Sequence, residues 1–187
     1  MTPRTPKGRF IAEVKTTSPF GFRSRYSHDQ LLKMAVTRGD GISIHTDANW
    51  NGYLGDIEHA RAYSSTTFIL AKGIHRTDDE IRECLRAGAD AVLVVGRIPA
   101  DDLLPHCWLE AMSVKQLKAF PSGVTTVWNQ RCLTTGLPKV ETFVQARDWW
   151  DGTLVQASMI RSSQDVMAGA NLFIVGEHLP EFVAQLT

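Results

Sequence analysis

Short apolar runs alternate along this chain with amphipathic ones, and the alternation begins within the first ten residues. The apolar runs are Arg9–Val14, Gly41–His45, Thr67–Ala71, Ala91–Val95, Cys107–Ala111, Thr125–Trp128, Thr153–Ala157 and Asn171–Val175. Several are apolar at every position, Ala91-Val92-Leu93-Val94-Val95 most clearly. Such runs predict strands buried on both faces, as in parallel sheets covered by helices. Between them the spacing predicts helices over His28–Thr37, Asp56–Tyr63, Asp78–Ala87, Ala100–Leu104, Val114–Phe120, Val140–Trp149, Ser163–Ala168 and Leu179–Gln185. In the third, Ile81, Cys84 and Leu85 form one stripe, Thr77 precedes an acidic first turn, and Gly88 follows the last turn. The segments Arg-Ala-Gly-Ala-Asp-Ala-Val-Leu-Val (86–94) and Met-Ala-Gly-Ala-Asn-Leu-Phe-Ile-Val (167–175) echo one another as a helix end leading into a strand.

Eight βα units in order predict an α/β fold, a shortened (β/α)8 TIM-type barrel occupying residues 1–187 as one domain. The length of 187 residues requires the fourth and fifth helices to be very short. Hydrophobic residues make up 43% and charged residues 21%, an ordinary globular balance. Lys+Arg and Asp+Glu both number 20, so no broad basic face is expected and nucleic acid is excluded as the obvious partner. Any phosphate site must then be local. Three cysteines without CxxC spacing read as reduced thiols of a cytoplasmic protein. There is no apolar run of roughly 18 residues, so no membrane association is expected.

In a parallel barrel the chemistry gathers at the C-terminal ends of the strands. Strand one carries Glu13 and Lys15 at its end, with Ser18-Pro19 following. Lys72 ends strand three, Glu110 strand five, Asn129 and Arg131 strand six, Ser158 strand seven and Gly176 strand eight. Lysines and glutamates among apolar neighbours can have their proton affinities tuned toward working pH by burial and by one another. His45, also at a strand end, reads as a packed histidine.

The segment Phe-Ile-Ala-Glu-Val-Lys-Thr-Thr-Ser-Pro (10–19) resembles the first strand of the indole-3-glycerol phosphate synthases, an Ala-Glu-x-Lys followed by Ser-Pro. Ile-Ser-Ile-His-Thr-Asp (42–47), Ile-Leu-Ala-Lys (69–72), Leu-Glu-Ala-Met (109–112), Trp-Asn-Gln-Arg-Cys-Leu (128–133), Ala-Ser-Met-Ile (157–160) and Gly-Ala-Asn-Leu-Phe-Ile-Val-Gly-Glu (169–177) are similar to later segments of that family, in order. The resemblance implies a carbon–carbon lyase that closes an indole ring on carboxyphenylamino-deoxyribulose phosphate with loss of carbon dioxide and water, the reaction of tryptophan biosynthesis. It implies Lys72 as general acid on the substrate carbonyl, Glu110 as general base in the dehydration, Lys15 assisting protonation or holding anionic groups, and Glu13 orienting Lys15. Asn129 and Arg131 would position the intermediate. The phosphate would lie on Ser158, Gly176 and Glu177, with backbone N–H groups offered at a helix start, and Ser18 and Lys15 across the mouth. Neither a metal nor an organic cofactor is required.

The chain departs from the family in four places. A first strand at about residue 9 leaves no N-terminal lid. Lys-Asp-Phe is replaced by Lys72-Gly73-Ile74, and Glu-Ser-Gly by Ala157-Ser158-Met159. The stretch Arg97–Cys107 is compressed. A wetter mouth weakens electrostatic catalysis. The expectation is a slow enzyme, or one whose cover comes from a protein partner or from a second copy in a homo-oligomer. The alternative is a catalytically lost or repurposed barrel that binds a phosphorylated ligand or a partner protein; a third reading is another enzyme of phosphoribosyl-type substrates. Asp47-x-Asn49-x-Asn51-Gly52 with Glu58 matches a calcium-loop pattern, but a strand precedes it where that motif has a helix, so calcium is not expected there. The six histidines lack ligand spacing along the chain, and no zinc site is expected.

Overall fold

The computed structural model describes residues 4–186. Eight parallel strands close into a barrel in sequence order: β1 (Phe10–Val14), β2 (Gly41–His45), β3 (Ile69–Lys72), β4 (Ala91–Val95), β5 (Cys107–Glu110), β6 (Thr125–Asn129), β7 (Leu154–Ala157) and β8 (Leu172–Val175). Closure is made by β8 on β1, with Phe10 opposite Phe173 and Ala12 opposite Val175. Every strand end lies within two residues of the expected one, because burial on both faces is what the uninterrupted apolar runs encode.

Alternate residues serve two cores. Ile11, Leu70, Leu93, Trp108, Val127, Val155 and Ile174 fill the inside of the barrel. Ala12, Ile42, Ile44, Val92, Val94 and Leu109 face outward onto the helices. Phe68 and Trp108 stack at 5.5 Å inside the barrel. Gly41 makes room for them, since a Cβ there would sit 2.8 Å from the Phe68 ring.

Six α-helices flank the sheet: α1 (His28–Arg38), α2 (Gly55–Tyr63), α3 (Asp78–Arg86), α4 (Val114–Leu117), α5 (Phe143–Trp149) and α6 (Leu179–Val183). Capping boxes start three of them, Ser27 with Gln30, Thr77 with Glu80, and Thr142 with Gln145. Helix α3 ends in a Schellman motif: Gly88, at φ 108°, donates to Leu85 O, and Ala89 donates to Cys84 O.

Three helix expectations need correction. The stretch Ala100–Leu104 is irregular and leads into a 3₁₀ turn at Leu104–His106. Pro105, inside that turn, supplies no N–H to extend a helical ladder. The expected helix over Ser163–Ala168 is a 3₁₀ turn at Ser163–Asp165. Here Asp165 folds back to accept from the amides of Arg161 and Ser162, and Gln156 takes the amide of Met167, so side chains hold the backbone in place of a helical ladder. Helix α5 begins at Phe143, leaving Val140 almost fully exposed outside it. Trp150 is core, whereas Trp149 is exposed with Lys118 Nζ 3.2 Å from its ring centre. Among the described residues no helix is long and apolar enough to cross a membrane.

Candidate active site

The strand ends converge on one mouth, and its hub is Glu13. Its carboxylate oxygen Oε1 accepts from Lys72 Nζ at 2.6 Å and pairs with His45 Nε2 at 2.7 Å, all three groups being buried. The register explains the meeting: His45 and Lys72 are paired residues of β2 and β3, and Glu13 lies one strand away on β1. Burial alone would raise the Glu13 pKa, but Lys72, His45 and Lys15 together outweigh it and hold the carboxyl well below the usual carboxylate range. Burial pushes the His45 pKa down, the Glu13 carboxylate opposes that, and the charges of Lys72 and Lys15 add to the lowering. The His45 ring lies flat on Trp50 at 5.6 Å. Trp50 ends the 3₁₀ turn Ala48–Trp50, which Asp47 caps by accepting from Asn49 N. Gly52 passes against the His45 backbone where a Cβ would collide. The Asp47–Glu58 stretch that matched a calcium loop therefore packs and seats His45.

A second carboxylate sits in a different field. Glu110 is buried at the end of β5 and accepts from Asn129 Nδ2 at 3.1 Å. Burial raises its pKa, and the nearby Lys72 and Lys139 offset that only in part. The two glutamates of the mouth are thus driven in opposite directions, one locked as an anion and one able to carry a proton. Lys139 reaches in from the loop after β6, with Nζ 2.7 Å from Ala111 O and 4.3 Å from the Trp128 ring centre, and burial lowers its pKa. A bridge between Arg131 and Pro138 folds that loop into a hairpin.

The third cluster corrects an expectation. Glu177 was expected to offer its backbone; instead its carboxylate spans Lys15 Nζ at 3.0 Å and both terminal nitrogens of Arg131 at 2.9 and 2.8 Å. Burial raises the Glu177 pKa, but Lys15 and Arg131 bring it below the ordinary range. Lys15 is therefore oriented by Glu177, and Glu13 holds Lys72, not Lys15. Gly176 is required because a side chain there would collide with the Glu13 carboxylate, and α6 begins only at Leu179. Ser18 is buried in the loop after β1, where its hydroxyl accepts from Phe20 N; it holds a turn and is not part of the cavity lining. Ser158 does line the mouth, at φ 67° next to Met159 at 59°, two successive left-handed residues where β7 ends.

Lys15, Lys72, Glu110, Asn129, Arg131 and Ser158 line one cavity of about 30 Å³ that opens to solvent at the mouth. Phe20 and Leu133 line it from the loops after β1 and β6. Phe20 packs on Gly136, and the Arg131 guanidinium lies 5.8 Å from the Phe20 ring centre, so two loops of the chain itself meet at the rim. Sequence reasoning placed His45 at a strand end and read it as packed, which it is, without its bond to Glu13, and missed Trp50 and Lys139. The strand-end rule that selected Lys72 applied equally to His45; nothing in the spacing of Lys139 indicated its approach.

No family model matches the chain, and no curated protein matches it. Solved structures do. The 3-hexulose-6-phosphate synthase from Salmonella typhimurium is 14% identical over 91% of this chain and 89% of its own, with a TM-score of 0.66. The 3-keto-L-gulonate-6-phosphate decarboxylase from Vibrio cholerae is 13% identical over 96% and 95%, with a TM-score of 0.63. The N-acetylmannosamine-6-phosphate 2-epimerase from Clostridium perfringens is 12% identical over 97% and 90%, also at 0.63. The chain is a TIM barrel. At these identities the likeness is one of fold, and the chemistry of this TIM barrel must be argued from its own mouth.

Proposed function

We propose that residues 1–187 act as one catalytic unit, a carbon–carbon lyase of the indole-3-glycerol phosphate synthase type acting on a phosphorylated substrate. The observation that carries this reading is the convergence of Lys72, Glu110, Asn129, Arg131 and Lys15 on one cavity, with Glu13 holding Lys72. The three solved barrels are each named for a sugar phosphate, which agrees with a phosphorylated substrate.

In this reading the Lys72 ammonium, held by Glu13, protonates the substrate carbonyl oxygen as the aromatic ring carbon bonds to the carbonyl carbon. The bond to the ring carboxylate then breaks, carbon dioxide leaves, and its electron pair restores the ring. Lys15 protonates the departing hydroxyl, water leaves, and Glu110 removes the proton whose loss completes the indole. The raised pKa of Glu110 makes its carboxylate a stronger base than an ordinary glutamate. Asn129 fixes the Glu110 carboxylate.

Glu177 supports a second reading, a barrel that binds ligand through the same mouth without turnover. The two cations that would meet a phosphate, Lys15 and Arg131, already share one internal carboxylate, which offsets one of their two charges. Incubation with carboxyphenylamino-deoxyribulose phosphate, followed by indole fluorescence, separates the two. Product that disappears in Lys72→Ala and Glu110→Gln supports the lyase. Thermal stabilisation by the same compound without product supports the binding barrel. Turnover unchanged in both variants would defeat the assignment of these residues.

A further inference from the structure

We propose that His28, Asp29 and His59 form a site for a divalent transition-metal ion of the zinc class, on the outside of the barrel between α1 and α2. The two histidines lie 31 positions apart in sequence, and the fold brings them together. His59 Nε2 is 3.1 Å from Asp29 Oδ1, and His28 Nδ1 is 3.8 Å from the same oxygen. One ligand atom from each of the three residues lies within 4.8 Å of the other two. A tetrahedral zinc ion with bonds of about 2.0–2.1 Å holds its ligands roughly 3.4 Å apart, so the cluster needs little movement to close on an ion. Two imidazoles and one carboxylate are a borderline-soft set that suits zinc, cobalt or nickel over calcium or magnesium. Three protein ligands leave a fourth position for water.

A second observation points the same way. The other nitrogen of His28, Nε2, faces Asp56 Oδ1 at 3.7 Å. Asp56 is buried at the start of α2, and its second oxygen accepts from Tyr53 N at 3.2 Å, so the carboxylate is fixed. Metal-bound histidines commonly donate their remaining N–H to such a carboxylate, which sets the tautomer and raises the basicity of the ligating nitrogen. Asp56 is placed to direct His28 Nδ1 at the ion.

The site lies apart from the mouth and does not depend on the lyase reading. Its test is metal binding to the full chain carrying Cys132→Ser, which removes a partly exposed thiol that would also take zinc. Calorimetric titration with Zn²⁺ is expected to give one equivalent, and Co²⁺ a visible absorption of tetrahedral intensity. His28→Ala and His59→Ala should each abolish the one-equivalent step, and His59→Ala should do so with unchanged melting in the absence of metal because its side chain is exposed. Asp56→Asn, which keeps the amide contact with Tyr53, should weaken binding by roughly 10- to 100-fold. Absence of saturable binding, or a one-equivalent step that survives in the His28→Ala/His59→Ala double variant, would overturn the proposal.

Discussion

Glu177 illustrates how one side chain can set what a mouth accepts. Its carboxylate holds Lys15 and Arg131 together, so the phosphate of the proposed substrate would compete with an internal anion for both cations. Glu177→Gln removes that competitor and leaves the cations in place. An ion pair worth up to about 1 kcal/mol at a partly exposed position corresponds to about fivefold in affinity. The variant should therefore bind inorganic phosphate about fivefold more tightly, measured by calorimetry; weaker binding would mean that Glu177 orients the cations for the ligand. The cysteines differ as sharply. Cys132 is lowered to about 6 by hydrogen bonds from Thr134 and Thr135, whereas burial pushes Cys84 and Cys107 up to about 12. At pH 7, iodoacetamide followed by peptide mass mapping should modify Cys132 first and leave the buried pair untouched.

Asp90 ties several elements to one carboxylate. It accepts from Ile69 N at the start of β3, from Arg61 of α2 at 2.6 Å and from Arg4 at 2.9 Å, while Arg61 also reaches Gly88 O and Thr67 O. Asp90→Ala leaves Arg61 without its buried partner. It should cost about 3–5 kcal/mol in denaturant unfolding, with the barrel-mouth chemistry unaffected wherever the protein remains folded. At this level the sequence was most readable where one cause acts alone. Both-face burial wrote the strands as apolar runs, and Thr77 with the acidic turn after it marked the start of α3. It was least readable where side chains override the helix ladder, as Asp165 and Gln156 do before β8. Proline interrupted the ladder at 105, and its missing N–H was available in the sequence without the structure.

At the scale of the whole barrel, Glu13, Lys72, Glu110 and Asn129 were legible because strand order alone brings strand ends to one face. The pairing of Glu177 with Lys15 and Arg131 and the arrival of Lys139 were not, because they depend on loop paths that no periodicity records, and the meeting of His28 with His59 was not, because it depends on how α1 and α2 lie side by side. The same closure that gathers the mouth also loads it with opposed carboxylates, and this makes stability depend on pH in a specific way. Glu13 is held below its ordinary value of 4.5, so its contribution is present above that pH and is lost as the pH falls through its lower folded value. Glu110 is raised above 4.5, so its contribution is fully present below that pH and is lost as the pH rises through its folded value. Glu110→Gln fixes the uncharged state and keeps an oxygen for Asn129. It should melt higher than the native chain at pH 8, by about 2–4 °C for each kcal/mol relieved, and no higher at pH 4. Glu13→Gln should do the reverse, losing stability at pH 8 because Lys72 is left without its buried counter-charge. If Glu110→Gln instead lowered the melting temperature at pH 8, the ionised carboxylate would be a favourable partner of Lys72 and Lys139, and its place as a proton-carrying group in the lyase reading would fall with it.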